Sequence, residues 1–172
     1  NSLRDWLLAQ QYLEVHPYTN APPGGWAWTN LPGGVPDADD TAGALLALKT
    51  LGNITDATRD AARHACTWLL NLQNRDGGIP TFCRGWSNLP FDRSSPDLTA
   101  HAIRAWIAWY DELPELQKRL DNGLFQAARF LAQSEGNGLN GWAPLWFGNQ
   151  HGPHEINWTY GTAKVLLALN EL

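Results

Sequence analysis

The stretch Trp68-Leu69-Leu70-Asn71-Leu72-Gln73-Asn74-Arg75-Asp76-Gly77-Gly78-Ile79 runs from an aromatic–leucine pair through a glutamine into a glycine turn. The pair recurs as Trp6-Leu7 and Phe130-Leu131, with 62 residues from each to the next. Glutamine follows every time (Gln11, Gln73, Gln133), and then a turn: Gly24-Gly25-Trp26, Gly77-Gly78-Ile79 and Gly141-Trp142. A second helical signal opens after each turn, near Thr41, Thr99 and Thr162. A fixed period of this length marks an array of supersecondary units, each needing its neighbours to bury its faces.

Each unit reads as helix, glycine loop, helix. The spacing predicts a helix over 56–73, with Thr55 as its N-cap. Ala100, Ile103, Trp106, Ile107 and Tyr110 form one apolar stripe, with Arg104 opposite. Residues 42–51 and 162–169 give similar signals, and Gly52 is a natural stop for the first. Over 116–133 the pattern is interrupted by Asn122-Gly123, where a break is expected. No segment reads as a strand. The expected fold is therefore all-α: paired-helix repeats forming part of an α/α barrel, in one domain over 1–172 with three units at about 1–52, 53–112 and 113–172.

The bulk properties narrow the function. A chain of 172 residues, 44% of them hydrophobic, can bury a real core. Ten Trp and sixteen Gly call for many aromatic packing sites, many tight turns, or an aromatic cavity. A net charge of −5 with no basic cluster argues against nucleic acid as a partner. Cys66 lies in the apolar run Ala65-Cys66-Thr67-Trp68, so a buried, reduced thiol is expected, which favours a reducing compartment. No signal peptide and no membrane-spanning run is visible. The chain starts at Asn1 and contains no Met, so a segment of a longer protein is expected.

The chemistry concentrates in Asp37-Ala38-Asp39-Asp40-Thr41, where a proline-containing loop enters a helix. Acidic residues there cap backbone amides and complement the helix dipole. Three aspartates in four residues repel one another, however, and crowded, partly buried carboxylates cannot all ionise. Keeping an Asp protonated near neutrality costs about 4 kcal/mol. Such an acid can protonate an alkene, which water cannot. The second unit supplies a partner in Pro96-Asp97-Leu98-Thr99-Ala100-His101. With Thr99 equivalent to Thr41, His101 lies one turn inside the matching helix, placed to bond an aspartate, with Asp97 orienting its ring. The plainer alternative is a surface histidine behind an Asp cap.

These residues resemble the squalene-hopene cyclase family of class II terpene cyclases. The repeats are similar to its QW motif: aromatic-Leu, three residues, Gln, then a glycine turn ending in Trp. The first repeat matches from Trp6 to Trp26 apart from an insertion, the second has Ile79 where Trp is expected, and the third carries extra residues before Trp146-Phe147-Gly148. Pro36-Asp37-Ala38-Asp39-Asp40-Thr41-Ala42 is similar to the D-x-D-D-T-A signature, and Asp97-Leu98-Thr99-Ala100-His101 to a second family segment. Asn157-Trp158-Thr159-Tyr160-Gly161-Thr162 resembles a third, N-Y-x-Y-G-T, with Trp158 for the first Tyr.

The resemblance implies protonation-initiated cyclisation of a polyprenyl or triterpene hydrocarbon such as squalene. Asp39 would be the general acid, Asp37 and Asp40 its neighbours, His101 its partner, and Asp97 the support of that partner. Carbocations would be stabilised by Trp28, Phe82 and Tyr160, since an aromatic face is worth ~2 kcal/mol or more to a desolvated cation. It implies no cofactor and no metal, and a cytoplasmic location or one peripheral to the cytoplasmic membrane. Six helices make about half of such a barrel, so a dimer or a missing partner segment is expected to cover the open face. Three other readings remain: a non-catalytic repeat scaffold whose aspartates only cap, a zinc-dependent protein-prenyltransferase-like domain, for which Cys83 and His101 are a thin ligand set, and an inverting α/α-barrel glycosidase using Asp39 with Asp97.

Overall fold

The glycine turns explain the architecture. In the computed structural model, which describes residues 2–83, 92–135 and 141–172, Gln73 Nε2 donates to Gly77 O at 2.8 Å and to Gly123 O at 2.9 Å. Gln11 does the same one unit earlier, to Gly24 O at 2.8 Å and Ala61 O at 2.9 Å. Each glutamine amide thus holds its own turn and the first helix of the next unit together. The turn must be glycine because that helix passes so close: a Cβ on Gly77, whose φ is +95°, would stand 2.2 Å from Gln126 O. The second half of each unit is tied in by a threonine. Trp26, Ile79 and Trp142 donate their backbone N–H to the hydroxyls of Thr41, Thr99 and Thr162 at 3.0, 2.9 and 3.1 Å.

Among the described residues six α-helices result: α1 (Ser2–Ala9), α2 (Ala38–Thr50), α3 (Asp56–Leu72), α4 (Pro96–Trp109), α5 (Gln117–Ser134) and α6 (Trp158–Glu171). The second helices form one layer, with α4 packed between α2 and α6. The first helices lie behind it, α1 on α2, α3 on α2, α4 and α5, and α5 on α4. Leu45, Leu48, Leu69, Leu98, Ile103 and Trp106 fill the space between the layers. The fold is all-α, with paired-helix repeats as in part of an α/α barrel.

Three local expectations need correction. Helix α5 runs unbroken through Asn122-Gly123. A Cβ on Gly123 would meet Leu70 Cδ2 at 2.6 Å, so this glycine lets α3 and α5 close, and that contact outweighs its poor helix propensity. Helices α2 and α6 each begin about four residues earlier than the apolar pattern suggested, because Asp37 and Asn157 cap them. A two-residue antiparallel ladder also forms, β1 (Ile79–Pro80) with β2 (Ser94–Ser95), too short to show in a sequence pattern.

Candidate active site

The layer of second helices brings their N-termini together. Asp39, Asp97 and Tyr160 stand two residues before the three equivalent threonines, on α2, α4 and α6. His101, one turn further along α4, reaches across to α2, and its Nδ1 lies 2.7 Å from Asp39 Oδ1. The entry to α2 is fixed on both sides. Asp37 N–H donates to Trp26 O at 3.0 Å and Ala38 N–H to Thr81 O at 3.2 Å. The N-cap is Asp37, whose Oδ1 accepts the Asp40 N–H at 2.8 Å. Capping therefore accounts for Asp37 and leaves Asp39 free of that role.

The carboxyls differ sharply. Asp37 is 4% exposed, and burial, followed by the side chain and charge of Asp40, pushes it up to about 9. It keeps its proton at neutrality. Asp39 is also raised by burial, but the hydrogen bond and charge of His101, with the charge of Lys164, outweigh this and bring it below the usual carboxylate value. Asp97 is 1% exposed and raised by burial. Its Oδ1 accepts from the Ser95 hydroxyl, and its Oδ2 has no hydrogen-bond partner among the described residues. The expected Asp97–His101 bond is thus replaced by one to Ser95, which also accepts the Leu145 N–H at 2.9 Å.

Asp39 and Asp40 lie between two cavities. One, of about 240 Å³, is lined by Trp28, Phe82, Trp146, Phe147, Thr81 and the three aspartates. The other, of about 520 Å³, runs past His101 along α2 towards Trp6 of α1. The rings meet edge to face: Trp28 to Phe82 at 6.4 Å and Phe82 to Trp146 at 6.0 Å between centroids. Tyr160 packs on Phe147 at 5.2 Å. Trp28 and Trp146 are 55% and 51% exposed, so the aromatic wall is open on one side.

Residues 3–172 match the squalene-hopene cyclase C-terminal domain. The chain belongs to that family. A probable squalene-hopene cyclase of Sinorhizobium fredii is 29% identical over 187 residues, covering 96% of this chain and 26% of that protein. The squalene-hopene cyclase of Alicyclobacillus acidocaldarius is 28% identical, with 96% and 26% covered. The chain thus spans about a quarter of these squalene-hopene cyclases. Among solved structures, a family 10 polysaccharide lyase from Cellvibrio cellulosa superposes with a TM-score of 0.63 at 19% identity, covering 99% of this chain and 65% of that one, a likeness of fold alone.

The residues proposed from sequence thus fall into one region: Asp37, Asp39, Asp40, Trp28 and Phe82 on the smaller cavity, His101 on the larger, and Asp97 and Tyr160 behind. Three neighbours escaped the sequence reading. Trp146 and Phe147 complete the aromatic wall of the smaller cavity, and the ammonium of Lys164 lowers Asp39 by its charge. The Trp146-Phe147 pair beside Gly148 was visible as the irregular third turn, but the Ser95–Leu145 bond and the ring contacts to Phe82 and Tyr160 that hold it at the cavity were not. Cys83 lines a separate small cavity with Trp68 and Asn71, away from His101.

Proposed function

We propose that this site starts the cyclisation of a polyprenyl or triterpene hydrocarbon such as squalene by proton transfer from Asp39. The observation that supports it is the placement of Asp39, which is not the helix cap, bonds His101 at 2.7 Å and borders an aromatic cavity. With His101 on Oδ1, the other oxygen takes up the proton to be given in the acid form of Asp39, a minor form at neutrality because His101 and Lys164 lower it. That proton adds to the CH carbon of a terminal alkene, the π electrons form the new C–H bond, and a tertiary cation remains beside the Asp39 carboxylate. Successive alkenes attack the cation as rings close, and proton loss or capture by water ends the sequence. His101 supports the carboxylate left behind, which makes Asp39 a stronger acid than its burial alone would allow. Asp37, buried and protonated, puts no second negative charge beside Asp39, which regains its proton from solvent. Trp28, Phe82 and Trp146 offer ring faces to the cation without a lone pair that would trap it.

The inverting-glycosidase alternative requires Asp97 to face the substrate. Asp97 is 1% exposed and lines neither cavity that Asp39 borders, which disfavours that reading. A test incubates the full-length protein with squalene and compares wild type with Asp39→Asn. Loss of cyclic product with an unchanged circular dichroism spectrum supports the reading. Normal product formation by Asp39→Asn removes Asp39 from the mechanism.

A further inference from the structure

Helix α6 contributes two side chains to the neighbourhood of Asp39, and only one of them is aromatic. Lys164 follows Tyr160 by one turn, and its Nζ sits over the Tyr160 ring, 5.5 Å from the centroid. This is a cation–π seat: the ring's negative face orients the ammonium. The seat is positioned by the repeat itself. Trp142 N–H bonds Thr162 at 3.1 Å, and a Cβ on Gly161 would meet Trp142 O at 2.3 Å, so the turn and α6 are in close contact. Packing of α6 on α4, and the reach of His101 from α4 to Asp39, then set the distance between the ammonium and the carboxylate. Tyr160 feels the same charges from the other side, since burial and then Asp39 and Asp97 raise its phenol to about 12. It therefore stays a neutral ring under the ammonium.

We propose that Lys164 is a positioning residue for the acid: seated on Tyr160, it supports the Asp39 carboxylate electrostatically as a second cation beside His101. The inference rests on the reading of Asp39 as proton donor and adds a residue to it. The groups around Asp39 are Asp37 and Asp40 on its own helix, His101 and Asp97 on α4, and Tyr160 and Lys164 on α6. Burial opposes a charged Asp39, whose charge in turn raises Asp37 and Asp97. One hydrogen-bonded histidine faces that opposition, and Lys164 adds a permanent positive charge to it. A further consequence concerns the cation formed from substrate. The Tyr160 face under Lys164 is occupied by the ammonium, so the nascent cation is favoured towards Trp28, Phe82 and Trp146.

The test uses full-length protein labelled with carboxyl-13C aspartate, with the Asp39 signal assigned by its loss in Asp39→Asn. Titration is followed over the pH range where circular dichroism stays native. Lys164→Met is expected to raise the Asp39 midpoint, Lys164→Gln to do the same, and Lys164→Arg to keep it near wild type. With squalene as substrate, Lys164→Met is expected to lower the rate plateau at low pH severalfold and move the falling limb to higher pH. A merely structural role would lower the rate at every pH and leave the limb in place. An unmoved Asp39 midpoint in folded Lys164→Met and Lys164→Gln overturns the proposal. If wild type makes no cyclic product while the midpoint still shifts, the charge pairing stands and the cyclase reading is what fails.

Discussion

At the entry to α2, two aspartates titrate in opposite senses: burial raises both, and only Asp39 has cationic partners that reverse it. Asp37 is lifted to about 9 mainly because it is almost wholly buried. Asp39 is lowered because His101 and Lys164 outweigh its burial. The sequence reading that one of three crowded carboxyls keeps its proton needed only their spacing. Which one keeps it depends on contacts made from other units, which spacing does not contain. The stability consequences have opposite signs. For Asp37 the contribution is fully present below its unfolded value of 3.8 and is lost as pH rises towards about 9. For Asp39 it is present above the unfolded value and lost as pH falls through the folded one. Asp37→Asn keeps the cap, because Asn caps as well as Asp. Its melting temperature relative to wild type is therefore expected to improve between pH 4 and pH 8, as calorimetry at the two pH values can show, and parallel shifts would contradict this. His101→Ala is expected to slow squalene turnover on the order of tenfold, measured as product formed per minute, through loss of one charge-assisted hydrogen bond to Asp39.

At the scale of the elements, the period of 62 residues was readable because each repeated residue has a separate physical task. The glutamine bridges two backbones, the glycines admit a neighbouring helix, and the threonine accepts the turn's N–H. Where a task changes, the motif departs: Trp26 and Trp142 also donate Nε1 to Leu7 O and Leu131 O, each at 2.8 Å, and Ile79 has no such donor. Features set by contacts between units were less legible, such as α5 running through Gly123 and the Trp146 loop reaching the site by way of Ser95. Gly77→Ala is expected to cost about 3 kcal/mol, from the left-handed φ and the backbone clash together. That corresponds to a fall in melting temperature of roughly 10 °C. Gly52→Ala provides the contrast: its φ is +64° but nothing lies within 4 Å of the added Cβ, so about 1 kcal/mol is expected. Equal losses for the two substitutions would show that close approach of α5 is not what selects glycine at Gly77.

For the whole molecule, the three units leave apolar side chains uncovered at both ends of the array. Leu3 and Trp6 are exposed on α1, and Leu166, Leu167 and Leu169 on α6, while Trp28 and Trp146 open onto the smaller cavity. Among the described residues no helix is long and apolar enough to cross a membrane. The chain spans 26% of the Sinorhizobium fredii relative, and the proposed whole-protein activity requires the aromatic wall to be closed by something beyond these six helices. The isolated 172-residue chain is accordingly expected to bind a hydrophobic dye such as anilinonaphthalene sulfonate, and Leu166→Gln with Leu169→Gln to reduce that binding. A chain that binds no dye would mean these faces cover one another. The central claim, that Asp39 starts a cyclisation by giving a proton to an alkene, is tested most directly by running the full-length protein on squalene in deuterium oxide and locating deuterium in the product. The account predicts one carbon-bound deuterium on the ring carbon that was the terminal alkene CH, and no cyclic product from Asp39→Asn. Cyclic product with no deuterium at that carbon, or the same labelled product from Asp39→Asn, would contradict it.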